Sequence, residues 1–356
     1  MMRSAASLVA LALLLLPAGA TKAAVDLAES PCLQPPAEVS KLTPDSARFK
    51  AEPGRTYDAR GQVFTGGGVG VIAPRHASGN TCLVGPTIVG PIGPEVSWSS
   101  RLKPDGIQHS RPTGPYRVHG ASIRCVNDAL SPPKALDTPR SVTFSYRDIY
   151  AREIRDDLLE NDACLGGEIR DSLFEGVHMG FSERPGAKST INLGPTMPVV
   201  TIANTMLRLE CQMDSRGGTG CPGETSHGQW WKLSHGRCKT ADGRIGPRYV
   251  LENVIFRADE TGTAGISGIS MPEAERLIAS NVTVLYPGPG TVPPMPPGVT
   301  VVRDRAEVER IWNEARSKWL ADHGCDQNGD NCAYLRMTDA PSPPEPKPEP
   351  ISSPQC

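Results

Sequence analysis

Residues 146–151 read YRDIYA and residues 169–174 read IRDSLF, two short segments that superpose with an offset of 23 residues. The offset aligns Asp148 with Asp171. In each segment an apolar residue stands two positions before the aspartate and two more stand two and three positions after it, which is typical of a strand that meets a polar turn and then a second buried stretch. The same offset pairs other residues of like character: Arg147 with Arg170, Tyr146 with Ile169, Tyr150 with Leu173, Ile154 with Val177, and Leu158 with Phe181.

The same frame recurs along the chain, each time with Asn or Asp at one position. The six anchors are Asn127, Asp148, Asp171, Asn204, Asn253 and Asn281. Successive anchors lie 21, 23, 33, 49 and 28 residues apart, which fits a repeat of about 22 residues with loop insertions. The repeat predicts an all-β fold, a parallel β-helix (solenoid) whose coils stack about 4.8 Å apart. A β-sandwich is the alternative, but its hairpins favour two-residue turns over one fixed Asn/Asp frame.

Two further segments add a resemblance to a known superfamily. Residues 82–90 read CLVGPTIVG upstream of the frame, and residues 155–162 read RDDLLEND within it. Together with the anchors, they resemble the pectate-lyase-like right-handed parallel β-helix superfamily over roughly residues 60–290. The resemblance implies a single-stranded right-handed β-helix. It selects no reaction, because that architecture carries lyases, glycosidases, esterases, epimerases and non-catalytic proteins.

Charge and the first residues restrict the partners and the compartment. The 37 Lys and Arg residues against 39 Asp and Glu residues give a formal net charge of −2, so bulk electrostatics does not favour nucleic acid. Residues 1–24 combine a basic start, a short apolar run and small residues, which is typical of a secretory signal peptide. No segment predicts a membrane span. We therefore expect a secreted or periplasmic monomer.

Cysteine usage agrees with an exported protein. All ten cysteines follow the predicted signal peptide. An even number in an oxidising compartment favours disulfides over free thiols. Cys325 and Cys332 close the shortest loop, so they are the pair we expect first.

The organisation of the rest of the chain follows from composition. The predicted β-helix domain occupies residues 25–300, with an insertion at about 209–246 that we expect to overhang one face. Residues 301–324 predict an amphipathic helix, and we expect it to cover the last coil, since the end of a solenoid is an unpaired strand edge. Residues 325–356 predict a cysteine-containing turn followed by a Pro-rich, disordered tail.

The densest acidic group comprises Asp156, Asp157, Glu160 and Asp162, and the 23-residue offset places Arg184 of the next coil over it. Oxygen ligands of this kind can bind a hard cation such as Ca²⁺, which could bridge to an acidic sugar while the arginine clamps the charge. Alternatively, two carboxylates divide the acid and base roles of glycoside cleavage. The third interpretation is a solvated turn whose charges satisfy one another.

Three more side chains are candidates for this site. His178 follows the acidic group by about one coil and could act as a general acid or base if it faces the carboxylates. Trp230 and Trp231 lie in the insertion and could present a flat surface to a sugar ring, with packing in the interior as the alternative.

These observations favour a carbohydrate-active protein. The leading hypothesis is a polysaccharide lyase or glycoside hydrolase that acts in a groove beside residues 156–162. The alternative is a non-catalytic glycan-binding or cell-envelope structural protein that uses the same long face. In both cases the expected partner is a polysaccharide or cell-wall glycan.

Overall fold

The structure, a computed structural model, is mostly β-strand and combines a large parallel sheet with one α-helix. The predicted signal peptide and the Pro-rich part of the tail lie outside the residues that it describes. Those residues are 27, 30–34, 38–44, 48–52, 54–66, 68–72, 81–93, 96, 104–110, 114–134, 138–185, 189–210, 228–233, 236–259, 271–288, 290–329 and 331–335.

Twenty-one strands and one helix are assigned within these ranges. In chain order they are β1 (Glu38–Lys41), β2 (Arg48–Lys50), β3 (Arg55–Asp58), β4 (Val63–Thr65), β5 (Val69–Ile72), β6 (Thr81–Val84), β7 (Thr87–Val89), β8 (Ile107–Ser110), β9 (Tyr116–Val126), β10 (Leu130–Ser131), β11 (Thr143–Glu160), β12 (Gly166–Arg170), β13 (Leu173–Ser182), β14 (Ile191–Asn192), β15 (Val199–Ala203), β16 (Met206–Leu209), β17 (Trp231–Lys232), β18 (Cys238–Lys239), β19 (Arg248–Ala258), β20 (Leu277–Leu285), β21 (Val299–Val302) and α1 (Arg305–Asp322).

Nineteen of the strands form one sheet in which the strand pairs are parallel, while β14 and β18 pair separately. The pairing follows the predicted frame. β11 pairs with β9 before it and with β12 and β13 after it, and Arg147 lies opposite Arg170 as the offset predicted. The all-β class and the parallel arrangement are thus confirmed.

At the turn that contains the anchor residues, the side chains of successive anchors form a ladder of hydrogen bonds. Asn204 donates to Asp171 at 3.0 Å, Asn253 donates to Asn204 at 3.1 Å, and Asn281 donates to Asn253 at 2.8 Å. These four residues and Asp148 have positive φ angles between 48° and 55°. Asn and Asp tolerate this left-handed conformation best among non-glycine residues, which explains why one residue type recurs in the frame.

The sequence placed the first anchor wrongly. Asn127 lies elsewhere and accepts a hydrogen bond from Arg155 at 2.8 Å. Because His119 pairs with Arg147 and Ala121 with Ile149, the residue opposite Asp148 is Gly120, whose φ is 70°. Glycine takes the left-handed conformation without a Cβ penalty, so this turn carries no Asn or Asp for a sequence pattern to detect.

Two hydrophobic layers explain why apolar residues stand at adjacent positions after each anchor. The third residue after the anchor faces the main core, as Phe174 and Leu207 do. The second residue faces the opposite way, and Tyr150, Leu173 and Met206 form a separate cluster with α1. One strand therefore buries both of its faces, the inner one in the sheet interior and the outer one under the helix.

The amphipathic helix predicted for 301–324 is present as Arg305–Asp322, but its position differs from the expectation. Glu309 binds Arg257 of β19 at 2.6 Å, and the Trp319 indole donates to the Asp171 carbonyl at 2.9 Å. The helix therefore crosses several strands along one side and does not cover the last strand alone. The reason is the outward apolar stripe, which needs cover along its whole length.

The predicted insertion at 209–246 is also not a simple overhanging loop. Its strand β17 joins the large sheet, with Trp231 opposite Phe181 of β13. Its strand β18 pairs with β14 in the small sheet.

Three disulfides join described residues: Cys32–Cys82, Cys164–Cys238 and the predicted Cys325–Cys332. The preference for disulfides over free thiols is thus confirmed for these pairs. Within the described ranges, no helix combines the length and the apolar character that crossing a membrane requires.

Candidate functional site

The predicted acidic group lies where β11 departs from regular pairing. Ile154 pairs with Val177, 23 residues further on, whereas Asp157 pairs with Met179, 22 residues further on. A β-bulge inserts a residue on one strand, bends it and re-aims the side chains that follow. The extra residue lies in this interval and turns Asp156 and Asp157 toward the preceding strand segment.

Asp128, which sequence reasoning did not include, completes the carboxylate group. One carboxylate oxygen from each of Asp128, Asp156 and Asp157 can be chosen so that all three lie within 4.8 Å of one another. Asp128 also accepts a hydrogen bond from the backbone N–H of Asp157 at 3.1 Å. Only 1% of the Asp157 side chain is exposed, against 15% for Asp156, so the group has a buried base and a more open rim.

Two lysines approach the carboxylates from different strands. The Lys232 ammonium on β17 lies 3.1 Å from Asp157 Oδ2 and 3.7 Å from Asp156 Oδ1. Lys134, in the segment after β10, pairs with Glu160 and lies 3.9 Å from Asp128 Oδ2. The site is therefore a mixed cluster of carboxylates and ammonium groups, which we call the acid–lysine cluster: Asp128, Lys134, Asp156, Asp157, Glu160, Asp162 and Lys232.

Burial and mutual repulsion hold protons on part of this cluster. Burial, with a contribution from the neighbouring Asp128, raises the pKa of Glu160 to about 9, although Lys134 opposes the shift. Burial and Asp156 likewise raise the pKa of Asp157 well above its usual range, against the opposing effect of Lys232. Burial also raises the pKa of Asp162. At neutral pH the Glu160 carboxyl is consequently a proton donor.

The neighbouring carboxylates raise the pKa of both lysines, so both side chains keep their charge. Burial alone lowers the pKa of Lys232, but the carboxylates of Asp157 and Asp156 outweigh burial and raise it. Lys134 behaves in the same way, since Glu160 and Asp128 raise its pKa against burial. Both ammonium groups therefore remain charged at neutral pH.

Hydroxyl groups lie beside Glu160 in the same register. Ser131 follows Leu130, which pairs with Leu159, and Ser182 pairs with Glu160 on one side and Lys232 on the other. Register-paired residues of parallel strands point to the same side. The Oγ atoms of both serines are buried, and neither has a hydrogen-bond partner within the described part of the chain.

Among the predicted site residues, the structure brings Asp156, Asp157, Glu160 and Asp162 together, but it changes the role of Arg184. The side chain of Arg184 is exposed, and its backbone N–H contacts the Asp162 carboxylate. The 23-residue offset had placed this arginine over Asn161. After the bulge the offset is 22, which places Ser182 opposite Glu160 and moves Arg184 to Asp162.

The other predicted residues lie inside the protein. His178 is buried on β13, where the register places it beside Arg155. Trp230 and Trp231 are 0% and 1% exposed in the main core, where they pack on Phe256 and Phe181. Their burial contradicts an exposed platform for a sugar ring, because neither indole presents a face to solvent.

Asp128, Lys134 and Lys232 were missed because they are distant in sequence from the acidic group. Lys232 lies 75 residues from its partner Asp157, and the bond depends on the pairing of β17 with β13. No local spacing predicts that pairing. The only available signal was the isolated Asn-Asp pair at 127–128, which the anchor frame had assigned to a turn.

Lys232 limits the ability of the acid–lysine cluster to bind a metal ion. Asp128, Asp156 and Asp157 are the residues that could ligate a cation such as Ca²⁺, which takes six to eight oxygen ligands. The Lys232 ammonium, however, already contacts two of these three carboxylates. The cluster thus carries its own cation, and no chemical step below depends on a metal.

A second polar network connects the ends of the described chain. Ser30 Oγ lies 2.6 Å from His119 Nδ1, His119 Nε2 lies 2.8 Å from Asp148, and His323 Nε2 lies 3.1 Å from the other oxygen of Asp148. The order of groups is that of a nucleophile triad. Ser30 is fully buried and also accepts the Cys32 N–H at 3.2 Å, so its oxygen cannot reach a substrate. The network instead fastens the first and last described segments to β11.

Comparison with known proteins gives no match to a family model, to a curated protein or to a solved structure.

Proposed function

We propose that this protein is an exported right-handed parallel β-helix that cleaves glycosidic bonds at the acid–lysine cluster. The parallel pairing, the amide ladder and the recurrence of left-handed residues support the β-helix. The disulfides and the signal-like residues 1–24 support export to the periplasm or the exterior.

The observation that carries the proposal is the position of Glu160, a partly buried carboxyl in contact with both Asp128 and Lys134. Its pKa of about 9 makes it a general acid at neutral pH, 16% exposed and therefore within reach of a ligand. Glycoside cleavage needs such an acid to protonate the leaving oxygen and a second carboxylate to activate water or attack the sugar. Asp156, the more exposed of the paired aspartates, is assigned the second role.

Lys134 fits the same step. Once Glu160 has released its proton, the charged ammonium beside it stabilises the carboxylate that forms. The hydroxyls of Ser131 and Ser182 border Glu160 from inside the protein, where burial keeps them away from a substrate.

Among the two reactions considered, hydrolysis is favoured over elimination. Elimination needs a base that removes a proton from the sugar, and both lysines are held in the charged form. The acid–base pair required for hydrolysis is present in the carboxylates themselves.

The test is turnover against a panel of neutral and acidic polysaccharides. We expect the mature protein to release new reducing ends, and the Glu160→Gln variant to lose activity by about 100-fold or more while keeping its circular dichroism spectrum and losing no stability. Glu314→Gln, on the exposed surface of α1, is the matched control and should retain full activity. An unsaturated, ultraviolet-absorbing product would show elimination and contradict the assignment.

The alternative is a non-catalytic glycan-binding protein. The pairing of Lys232 with Asp157 and of Lys134 with Glu160 favours it, because such pairs also stabilise a surface without chemistry. Absence of products from every polysaccharide, together with measurable binding, would establish this alternative.

A further inference from the structure

A groove of about 540 Å³ lies on the outer face of the large sheet, on strands β9, β11, β12 and β15. Its floor consists of side chains in register. Arg117 lies opposite Ser145, Ser145 opposite Glu168, and Glu168 opposite Thr201. Two residues further along the same strands, His119 lies opposite Arg147. The floor thus presents a row of polar side chains on regular strands, with apolar residues such as Phe144 and Val199 also lining the groove.

The groove carries an excess of positive charge. Its one carboxylate, Glu168, is already engaged, since it accepts from Ser145 at 2.8 Å and from Arg170 at 2.6 Å. Arg117 and Arg147 are exposed and form no hydrogen bond or close ion pair within the described ranges, although the charge of Arg147 contributes, after the bond from Arg170, to lowering the pKa of Glu168. Two guanidinium groups therefore remain available in a protein whose formal net charge is −2.

The spacing of the two arginines suits a ligand with more than one negative group. They lie on adjacent strands and two residues apart in register, so their Cα atoms are separated by about 8 Å. Guanidinium groups bind carboxylate and sulfate oxygens in a bidentate manner. Ser145 and Thr201 provide hydroxyls between and beyond them, which are suited to the hydroxyls of a sugar.

We propose that this groove binds an anionic oligosaccharide, a glycan that carries carboxylate or sulfate groups, through Arg117 and Arg147. The choice of a glycan rests on the proposed function, whereas the choice of an anion rests on the charge of the groove. The groove binds one section of the glycan. The acid–lysine cluster lies in the later part of β11, beyond Asp148. Binding and cleavage are consequently assigned to different residues and can fail separately.

His119 contributes to the shape of the groove and not to its charge recognition. Both ring nitrogens are engaged, one with Ser30 and one with Asp148, so the ring is held in one orientation at the groove wall.

The experiment is calorimetric titration of the mature protein with alginate hexamers, with sulfated hexamers and with neutral maltohexaose. We expect the anionic hexamers to bind at least tenfold more tightly than maltohexaose, and we expect their affinity to fall as salt is added. The double variant Arg117→Gln/Arg147→Gln should lose about tenfold in affinity or more for each arginine. Lys239→Gln/Arg244→Gln removes the same charge from exposed residues outside the groove and should bind as the wild type does.

Three results would overturn the proposal. The first is equal affinity for anionic and neutral hexamers, and the second is unchanged binding by the groove double variant. The third is full displacement of the hexamers by inorganic sulfate at equal concentration, which would reduce the groove to a simple anion site. Titrations repeated on Glu160→Gln separate the two proposals, since that variant tests cleavage and leaves the groove intact.

Discussion

Glu160→Gln should make the protein more stable, by an amount that grows with pH. Burial and Asp128 raise the pKa of Glu160 in the folded state to about 9, from its ordinary value of 4.5. Between these two values the unfolded chain has released the proton while the folded chain still holds it. Raising the pH then favours the unfolded chain, so the wild type loses stability on this account as pH rises from about 4.5 to about 9.

The magnitude follows from the shift. Each pH unit in this window costs about 1.4 kcal/mol, so the penalty at pH 7 is about 3 kcal/mol. Glutamine has the shape of the protonated carboxyl and cannot ionise, so the variant escapes the penalty. The shifts of Asp157 and Asp162 are common to both proteins and largely cancel in the difference.

The assay is urea unfolding of wild type and variant at pH 5, 6, 7 and 8, with each point compared with Glu314→Gln on α1. The stability of Glu160→Gln relative to wild type should increase by about 1.4 kcal/mol for each pH unit. A difference that does not change with pH would refute the reasoning, because it would mean that Glu160 is ionised in the folded protein. The general acid of the proposed reaction would then be lost as well.

Three other perturbations test separate parts of the structure, each by urea unfolding. Lys232→Met should destabilise the protein by about 1–3 kcal/mol, since it removes the ammonium donor that Asp156 and the buried Asp157 share; an unchanged stability would mean that this contact contributes nothing. Asn253→Ala should cost about 2 kcal/mol and Asn253→Gly about 1 kcal/mol, because glycine restores the left-handed conformation but not the ladder bonds; equal costs would contradict this. Asp148→Asn should cost about 2 kcal/mol near pH 6: bonds from His119 and His323 outweigh burial and lower the pKa of Asp148 to about 2, so its contribution is present above pH 3.8 and lost as pH falls through about 2. A cost that persists at pH 2 would count against that origin.

The repeat could be predicted at the turns whose left-handed conformation selects Asn or Asp. Asp171, Asn204, Asn253 and Asn281 stand in one ladder because a left-handed turn between two strands selects Asn or Asp and because each Asn amide donates to the side-chain oxygen of the preceding anchor. The same turn at Gly120 was invisible, since glycine meets the conformational demand with no side chain.

The sequence contains a signal for the packing of the helix, but the prediction used only part of it. Adjacent apolar residues such as Leu173 and Phe174 break the strict alternation of a strand with one solvated face. In the structure one of them faces the core and the other faces α1. The doubled pattern therefore indicated that something covers the outer face, but it could not identify the covering element, because the contact joins segments more than a hundred residues apart.

The candidate site was half predictable for a related reason. Asp156, Asp157, Glu160 and Asp162 were found because they are close in sequence. Asp128 and Lys232 were missed because only pairing between strands brings them there. Local density can reveal a cluster of charges, but it cannot reveal which charges from neighbouring strands neutralise it.

The bulge after Ile154 explains both the error in the predicted register and the arrangement of charges at the site. A perfectly regular ladder would have continued the offset of 23, with Glu183 opposite Glu160 and Arg184 opposite Asn161, as the sequence predicted. The extra residue shortens the offset to 22, so Ser182 replaces Glu183 opposite Glu160 and Arg184 moves to Asp162. The side chain of Arg184 is exposed there, and the compensating charge inside the cluster comes from Lys134 and Lys232. The irregularity thus puts a hydroxyl where a carboxylate would have lain beside Glu160, while burial raises the pKa of Glu160 and holds its proton for donation.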